Sequence, residues 1–352
     1  MRTSSLARAI TGCAGALLLS LFVSQAGCAA ERHPEPGDEP IAAAAEGLAS
    51  TDQSFLAPSP WGADFVTTKA RDDPKRIRTV GDADGDGRTD LIGFGQTGVY
   101  LSRSTGTSFE PAHLAVADFG TATGWTPDRH VRTVADVDGD HRDDIVGFGD
   151  GGVVISRSTG TNFAPPTLAL ANFGYNQGWR VDKHTRLVGN VDADIAHRAD
   201  IVAFGDAGVY LSLGTATGFT QPVLTAANFG AKQGWTPARH IRTLADLNGD
   251  GRQDIVAFGD DGVWTALSTG SGFTAPAFVL ASFGAAQAAE GWSTTRHDRR
   301  VLDIDGDGKA DIVGFGENGV YTARGLGNGA FAAPVYSIAD YGYAQSQSAA
   351  RL

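Results

Sequence analysis

The sequence predicts an all-β fold, a β-propeller of five four-stranded blades closed into a ring. Three observations carry this reading. An acidic turn recurs five times, starting at Asp82, Asp136, Asn190, Asp246 and Asp303, at intervals of 54, 54, 56 and 57 residues. Short apolar runs broken by Gly, Asn, Asp and Pro follow each turn, the pattern of successive hairpins. Finally, 47 of the 352 residues are Gly, and no segment shows the periodicity of an amphipathic helix. A repeat of this length is one supersecondary unit that buries its faces against its neighbours.

The chain before the repeats reads as an export and tethering region. Arg2 and Arg8 flank an apolar run, Ala9 to Val23, too short to span a bilayer comfortably. The run ends in Ser24-Gln25-Ala26-Gly27-Cys28, similar to a bacterial lipobox with Gln25 where Leu is usual. Residues 1–27 are therefore expected to be a lipoprotein-type signal, with Cys28 the site of lipid attachment. Ordinary cleavage nearby, with Cys28 incidental, is the alternative. Cys13 lies inside the signal, so the mature chain has one thiol and no intramolecular disulfide. Residues 28–52 are rich in Ala, Pro and Glu without a core-building period and read as a disordered tether. The expected location is the bacterial cell envelope or the medium, with membrane contact only through the lipid.

The propeller is expected over 53–352, with repeats at about 61–120, 121–174, 175–230, 231–284 and 285–345. In the first repeat the strands are read as Arg76–Gly81 before the acidic turn, Leu91–Gly95 after it, then Val99–Arg103 and Leu114–Phe119. The second strand is apolar without alternation, so it is covered on both faces, as when sheets stack around an axis. Trp61 at the start supplies a Trp that the end of the fifth repeat lacks, which favours closure of the ring. Closure also removes exposed sheet edges, whereas an open arc leaves two.

The formal charge of −12 argues against a nucleic-acid partner, and much of the acid sits in the five turns. Carboxylates at alternate positions of a tight turn suit a hard cation that takes six to eight oxygens. In the first turn the donors are Asp82, Asp84, Asp86, the carbonyl of Arg88 and Asp90. The fourth (Asp246, Asn248, Asp250, Arg252, Asp254) and fifth (Asp303, Asp305, Asp307, Lys309, Asp311) are complete in the same sense. In the second, His141 replaces a Gly, so weaker binding is expected at Asp136, Asp138, Asp140 and Asp144. The third has two extra residues and neither glycine, and is expected to be empty. Position 12 lacks the Glu of an EF-hand, and strands flank the turn. Three to four structural Ca²⁺ are therefore expected; turns capped by Asp without metal are the alternative.

The motif Asp-x-Asp-Gly-Asp-Gly-x-x-Asp followed by Gly-Phe-Gly resembles the FG-GAP/VCBS repeats that build integrin-α-like propellers. The longer stretch Asn172-Phe-Gly-Tyr-Asn-Gln-Gly-Trp179-Arg-Val-Asp-Lys-His184 resembles the β-propeller lectins typified by the Psathyrella velutina lectin. The resemblance covers about residues 55 to 345 and implies a multivalent carbohydrate-binding protein with sugar pockets between blades. Those lectins have seven blades and this chain five repeats, so pocket geometry need not transfer. On this reading the sugar-binding residues are Trp125 with His130, Trp179 with His184, Trp235 with His240, and Trp292 with His297, and the partner is a cell-surface glycan or polysaccharide. Arg76 stands in place of the His in the first repeat. Tyr100, Tyr210, Trp264 and Tyr321 recur in the third strand as supporting candidates, with Val154 breaking the series.

A Trp face suits the apolar face of a pyranose. One Trp per repeat also suits packing between blades, and a neighbouring His can simply satisfy backbone groups. A non-enzymatic adhesion or protein-interaction scaffold is therefore the alternative function. Enzyme chemistry is not expected: no nucleophile–base order appears, and the paired carboxylates are committed to the acidic turns.

Overall fold

In a computed structural model, residues 77–286 and 291–346 are described, all within the second of two compact units, Pro60–Leu352. The proposed signal, the tether, Cys28, Trp61 and Arg76 lie outside the described residues. So does the closing connection for which Trp61 was invoked.

The five repeats form five blades. The first is β1 (Ile77–Gly81), β2 (Asp90–Phe94), β3 (Val99–Ser102) and β4 (His113–Val116). The second is β5 (Val131–Ala135), β6 (Asp144–Phe148), β7 (Val153–Ser156) and β8 (Thr167–Leu170). The third is β9 (Thr185–Gly189), β10 (Asp200–Phe204), β11 (Val209–Ser212) and β14 (Val223–Ala226), with a small hairpin, β12 (Gly214–Thr215) and β13 (Gly218–Phe219), between the last two. The fourth is β15 (Ile241–Ala245), β16 (Asp254–Phe258), β17 (Val263–Ala266) and β18 (Ala277–Leu280). The fifth is β19 (Arg299–Leu302), β20 (Asp311–Phe315), β21 (Val320–Ala323) and β22 (Val335–Ile338). Each blade is an antiparallel sheet with its strands in chain order, an all-β propeller as the repeat predicts. The described helical structure is three short 3₁₀ turns in the connections and one helical turn, α1 (Tyr343–Ser346).

Burial explains the composition of the strands. In the second, third and fourth blades the second strand is buried at every residue, because a neighbouring blade covers each face. The innermost strands of successive blades lie side by side, and a separate apolar core fills each of the four seams between them.

Each seam is built the same way. A return Phe (Phe119, Phe173, Phe229, Phe283) is completely buried between blades and held at positive φ, 59° to 64°. That backbone is unfavourable for Phe and persists because the surroundings fix it. The carbonyl of that Phe accepts a hydrogen bond from a buried Arg of the next inner strand: Arg132, Arg186, Arg242 or Arg299. The same guanidinium lies over a Phe ring of the previous blade, 5.2 to 5.5 Å away. Burial lowers the pKa of each of these arginines to about 10.

The fifth blade's far flank differs from the four seams. Ile304 is 44% exposed, whereas the matching Ala83, Val137, Val191 and Leu247 are buried. Leu302, 46% exposed, stands where the first and third blades have Gly81 and Gly189. A Cβ on Gly81 would lie 2.4 Å from an Asp143 oxygen of the next blade, so that position is small where a seam forms.

Candidate functional site

Antiparallel pairing puts the two repeated motifs at opposite ends of each blade. The acidic turn joins the first and second strands at one end. The turn between the second and third strands, and the connection onward to the next blade, lie at the other.

At the acidic end, the first carboxylate organises its own turn. Asp82 accepts hydrogen bonds from the amides of Gly85 (2.7 Å) and Gly87 (2.8 Å), and Asp246 and Asp303 do the same in their turns. The glycines supply the positive φ this path needs, 81° at Gly87; His141 adopts 66° at the matching place. The second turn thus keeps the loop path in spite of its substitution.

The acid that closes the turn, at position nine or, in the third turn, eleven, has a structural task in all five turns. Asp90, Asp144, Asp200, Asp254 and Asp311 are buried, and each accepts two backbone amides, as Asp254 does from Leu247 (3.0 Å) and Ser268 (2.6 Å). Burial raises Asp144 to about 7 and Asp200 and Asp254 to about 6, despite these bonds.

Among the described residues, three acid clusters have the geometry for a cation: Asp82, Asp84 and Asp86; Asp136, Asp138 and Asp144; Asp303, Asp305 and Asp311. The donor chemistry fits Ca²⁺. Asp84 Oδ1 and Asp138 Oδ1 are buried without a hydrogen-bond partner, and both carboxyls are pushed up, first by burial and then by neighbouring carboxylates. In the fourth turn the acids do not converge in this way; Asn248 stands among them and its amide donates to Asp250. In the third, Asn190 accepts the Ala193 amide and Asp194 pairs with Arg198. Arg88, Arg142, Arg252 and Lys309 pair with the fifth-position acids Asp86, Asp140, Asp250 and Asp307, and each of these residues also donates its own amide to the same carboxylate. The turns also fasten the seams: the carbonyls of Asp82, Asp136, Asn190 and Asp246 each accept an amide from the next blade.

At the opposite end, each connection carries the Trp and His. The structure brings all four pairs together, ring centroids 5.0 to 5.4 Å apart. The His is buried and both ring nitrogens are committed. Nδ1 accepts a backbone amide four residues upstream, from Thr126, Arg180, Thr236 and Ser293 respectively. The proton therefore sits on Nε2, which donates to Asp150, Asp206, Asp260 or Glu317. Burial lowers His184 and His240, which keeps them neutral. In turn the His hydrogen bond is the first cause holding Asp150, Asp206 and Asp260 below the usual carboxylate range. So the His aims an ionised acceptor, which is about half exposed at the junction.

The third-strand residue completes the junction. A β-bulge after the strand's first residue recurs in every blade, at Val99/Tyr100, Val153/Val154, Val209/Tyr210, Val263/Trp264 and Val320/Tyr321. Bulges re-aim side chains, and here they bring Tyr210 and Tyr321 edge-on to Trp179 and Trp292 at 5.9 Å. Between the third and fourth blades, Asn228, Gln233, Trp235, His240, Asp260 and Trp264 line a cavity of about 310 Å³. The Trp of each connection is itself mostly packed; Trp125, Trp179 and Trp235 are 8 to 9% exposed. The aspartates and the buried seam arginines were not singled out from the sequence. The Arg recurs two residues after each His, as in His130-Val-Arg132 and His240-Ile-Arg242, and the acid twenty residues after it, or twenty-two in the third blade, which is the signal that could have found them.

The FG-GAP-like repeat family matches residues 82–147. A solved structure of an Agrocybe aegerita lectin, described as specifically recognising non-reducing terminal N-acetylglucosamine, is 40% identical with a TM-score of 0.71. The match covers 76% of this chain and 67% of the lectin. The chain belongs to the β-propeller family of this lectin. The relative found is thus the Agrocybe lectin rather than the Psathyrella protein named from the sequence. The Photorhabdus luminescens Tc holotoxin pore matches at 18% identity and TM-score 0.50, over 73% of this chain and 12% of that one, which shows the fold alone. A comparison with curated proteins gave no match.

Proposed function

We propose that this chain is a non-enzymatic, multivalent carbohydrate-binding protein whose sugar pockets lie at the junctions between blades. The observation that carries the reading is the junction of the third and fourth blades. It combines an aromatic wall (Trp264), an ionised acceptor (Asp260) fixed by a neutral His240, and the Asn228 amide around a cavity of small-molecule size. Pyranoses need that pairing: C–H faces pack on aromatic rings while hydroxyls find fixed polar groups. The 40%-identical lectin's recognition of terminal N-acetylglucosamine makes that sugar the first ligand to test.

In this reading the Trp of each connection holds the junction, the His is a positioning residue, and Asp and the third-strand aromatic meet the sugar. Several weak pockets on one rigid frame raise avidity on a dense glycan surface. Ca²⁺ in the first, second and fifth acidic turns is structural, holding the opposite end. The N-terminal signal and Cys28 direct export and lipid attachment to the bacterial envelope. A glycan array probed with residues 53–352 tests the reading. Binding to terminal N-acetylglucosamine that is lost in Trp264→Ala and Tyr210→Ala with the fold intact supports it. No glycan signal at high protein concentration would favour the adhesion-scaffold alternative.

A further inference from the structure

The junctions entering the second, third and fourth blades share one plan, yet the second departs from the other two at three positions. Entering the third and fourth blades, the residue before the return Phe is Asn (Asn172, Asn228). Its Oδ1 accepts the Phe amide at 2.7 Å, and its side-chain amide remains for other partners. The second-strand residue beside the Trp is Ala203 or Ala257, and the wall is Tyr210 or Trp264. There the Trp stands edge-on to the return Phe, at 66° and 71°.

Entering the second blade, all three positions change. Asp118 replaces the Asn, and its Oδ1 accepts the indole N–H of Trp125 at 3.0 Å. Gly147 replaces the Ala, and Trp125 has moved into the room this leaves: a Cβ on Gly147 would lie 2.5 Å from its Cη2. Trp125 accordingly meets Phe119 at 38° instead of near 70°. Val154 replaces the aromatic wall. Asp150 is shared between His130 and Arg129, as Asp260 is between His240 and Arg239, so the carboxylate itself is common to both kinds of junction.

We propose that the junctions entering the third and fourth blades are the working sugar pockets, and that Asp118 and Gly147 silence the one entering the second. This rests on the carbohydrate reading above. In the fourth, Asn228, Asp260 and Trp264 line one cavity, and the third carries the same groups at the matching positions, Asn172, Asp206 and Tyr210. In the second, the indole N–H is already taken, the amide donor has become a carboxylate, and the wall is aliphatic. A carboxylate at this place can only accept, so it cannot replace the donor that the Asn amide supplies. The junction entering the fifth blade includes residues 287–290, outside the described residues, and is not part of the proposal.

The test follows the indole N–H signals of the purified protein by ¹H–¹⁵N NMR, assigned by single Trp→Phe changes, during titration with N-acetylglucosamine. The Trp179 and Trp235 signals should shift with saturation while that of Trp125 stays in place. Movement of Trp125 with the same saturation curve would overturn the proposal while leaving the carbohydrate reading intact. If none of the indoles responds and calorimetry detects no binding, the carbohydrate reading falls and the proposal with it. A gain-of-function variant, Asp118→Asn with Gly147→Ala and Val154→Tyr, should raise the calorimetric stoichiometry by one site per chain. A folded triple variant with unchanged stoichiometry would count against it.

Discussion

The two ends of each blade use the same residue type, aspartate, in opposite ways. At the acidic-turn end the carboxylates face inward onto their own backbone, where Asp82 holds the Gly85 and Gly87 amides and Asp90 those of Ala83 and Ser104. At the junction end Asp260 is held by a neutral His240 and leaves an ionised oxygen toward a cavity. A carboxylate that completes a turn stabilises the fold, while one fixed from behind and open in front can bind a ligand. On the proposed reading, charge density alone points to the wrong end.

Four changes break or sharpen that contrast. The largest effect is expected from Asp254→Ala. It strips both partners from the buried Leu247 and Ser268 amides, at about 1–3 kcal/mol for each unsatisfied group. Chemical denaturation should show the loss in full, and sugar affinity of the folded fraction should be unchanged. Gly147→Ala comes next, because its methyl group must displace Trp125; overpacking of this kind costs about 1–3 kcal/mol. The same Cβ is native in Ala203 and Ala257, so the reverse change Ala203→Gly should cost no more than about 1 kcal/mol. Thermal unfolding of the two variants checks the asymmetry.

The third prediction concerns pH and calcium. Asp144 is raised to about 7 and Asp200 and Asp254 to about 6 by burial. The folded chain then holds protons that the unfolded chain has released, so these groups make stability fall as pH rises through that range. His184 and His240, held neutral by burial, act in the opposite sense as pH approaches and passes the ordinary histidine value of 6.5, and so blunt the effect without adding to it. Between pH 8 and 6.5 in chelator, the melting temperature should therefore rise as pH falls. Calcium requires ionised carboxylates and should raise the melting temperature at pH 8 and remove that rise. A melting temperature indifferent to chelator at pH 8 would sink the structural-calcium reading. Smallest of all, Arg300→Ala removes an exposed pair with Asp298 and should change stability by less than about 1 kcal/mol.

Much of the fold was legible because it is periodic. The acidic turns fixed the repeat length, and the unbroken apolar run over residues 145–148 announced a strand buried on both faces. The site was legible only in part. The Trp–His pairs were visible as a recurring motif, but their roles needed three dimensions: His240 turns out to be buried behind Asp260, and Trp235 is mostly packed. Asp260 was missed because it sits in a turn twenty residues downstream, among acids that look alike in sequence. The positive φ of the return Phe was also hidden, since nothing local favours it; the seam imposes it.

The central claim is that sugar binds at the junctions rather than at the acidic turns. Isothermal titration of N-acetylglucosamine into the wild-type protein and Trp264→Ala tests it most directly. The account predicts that the variant, equally folded by circular dichroism, loses one binding site while calcium affinity is unchanged. Unaltered sugar stoichiometry in a folded Trp264→Ala protein would contradict it.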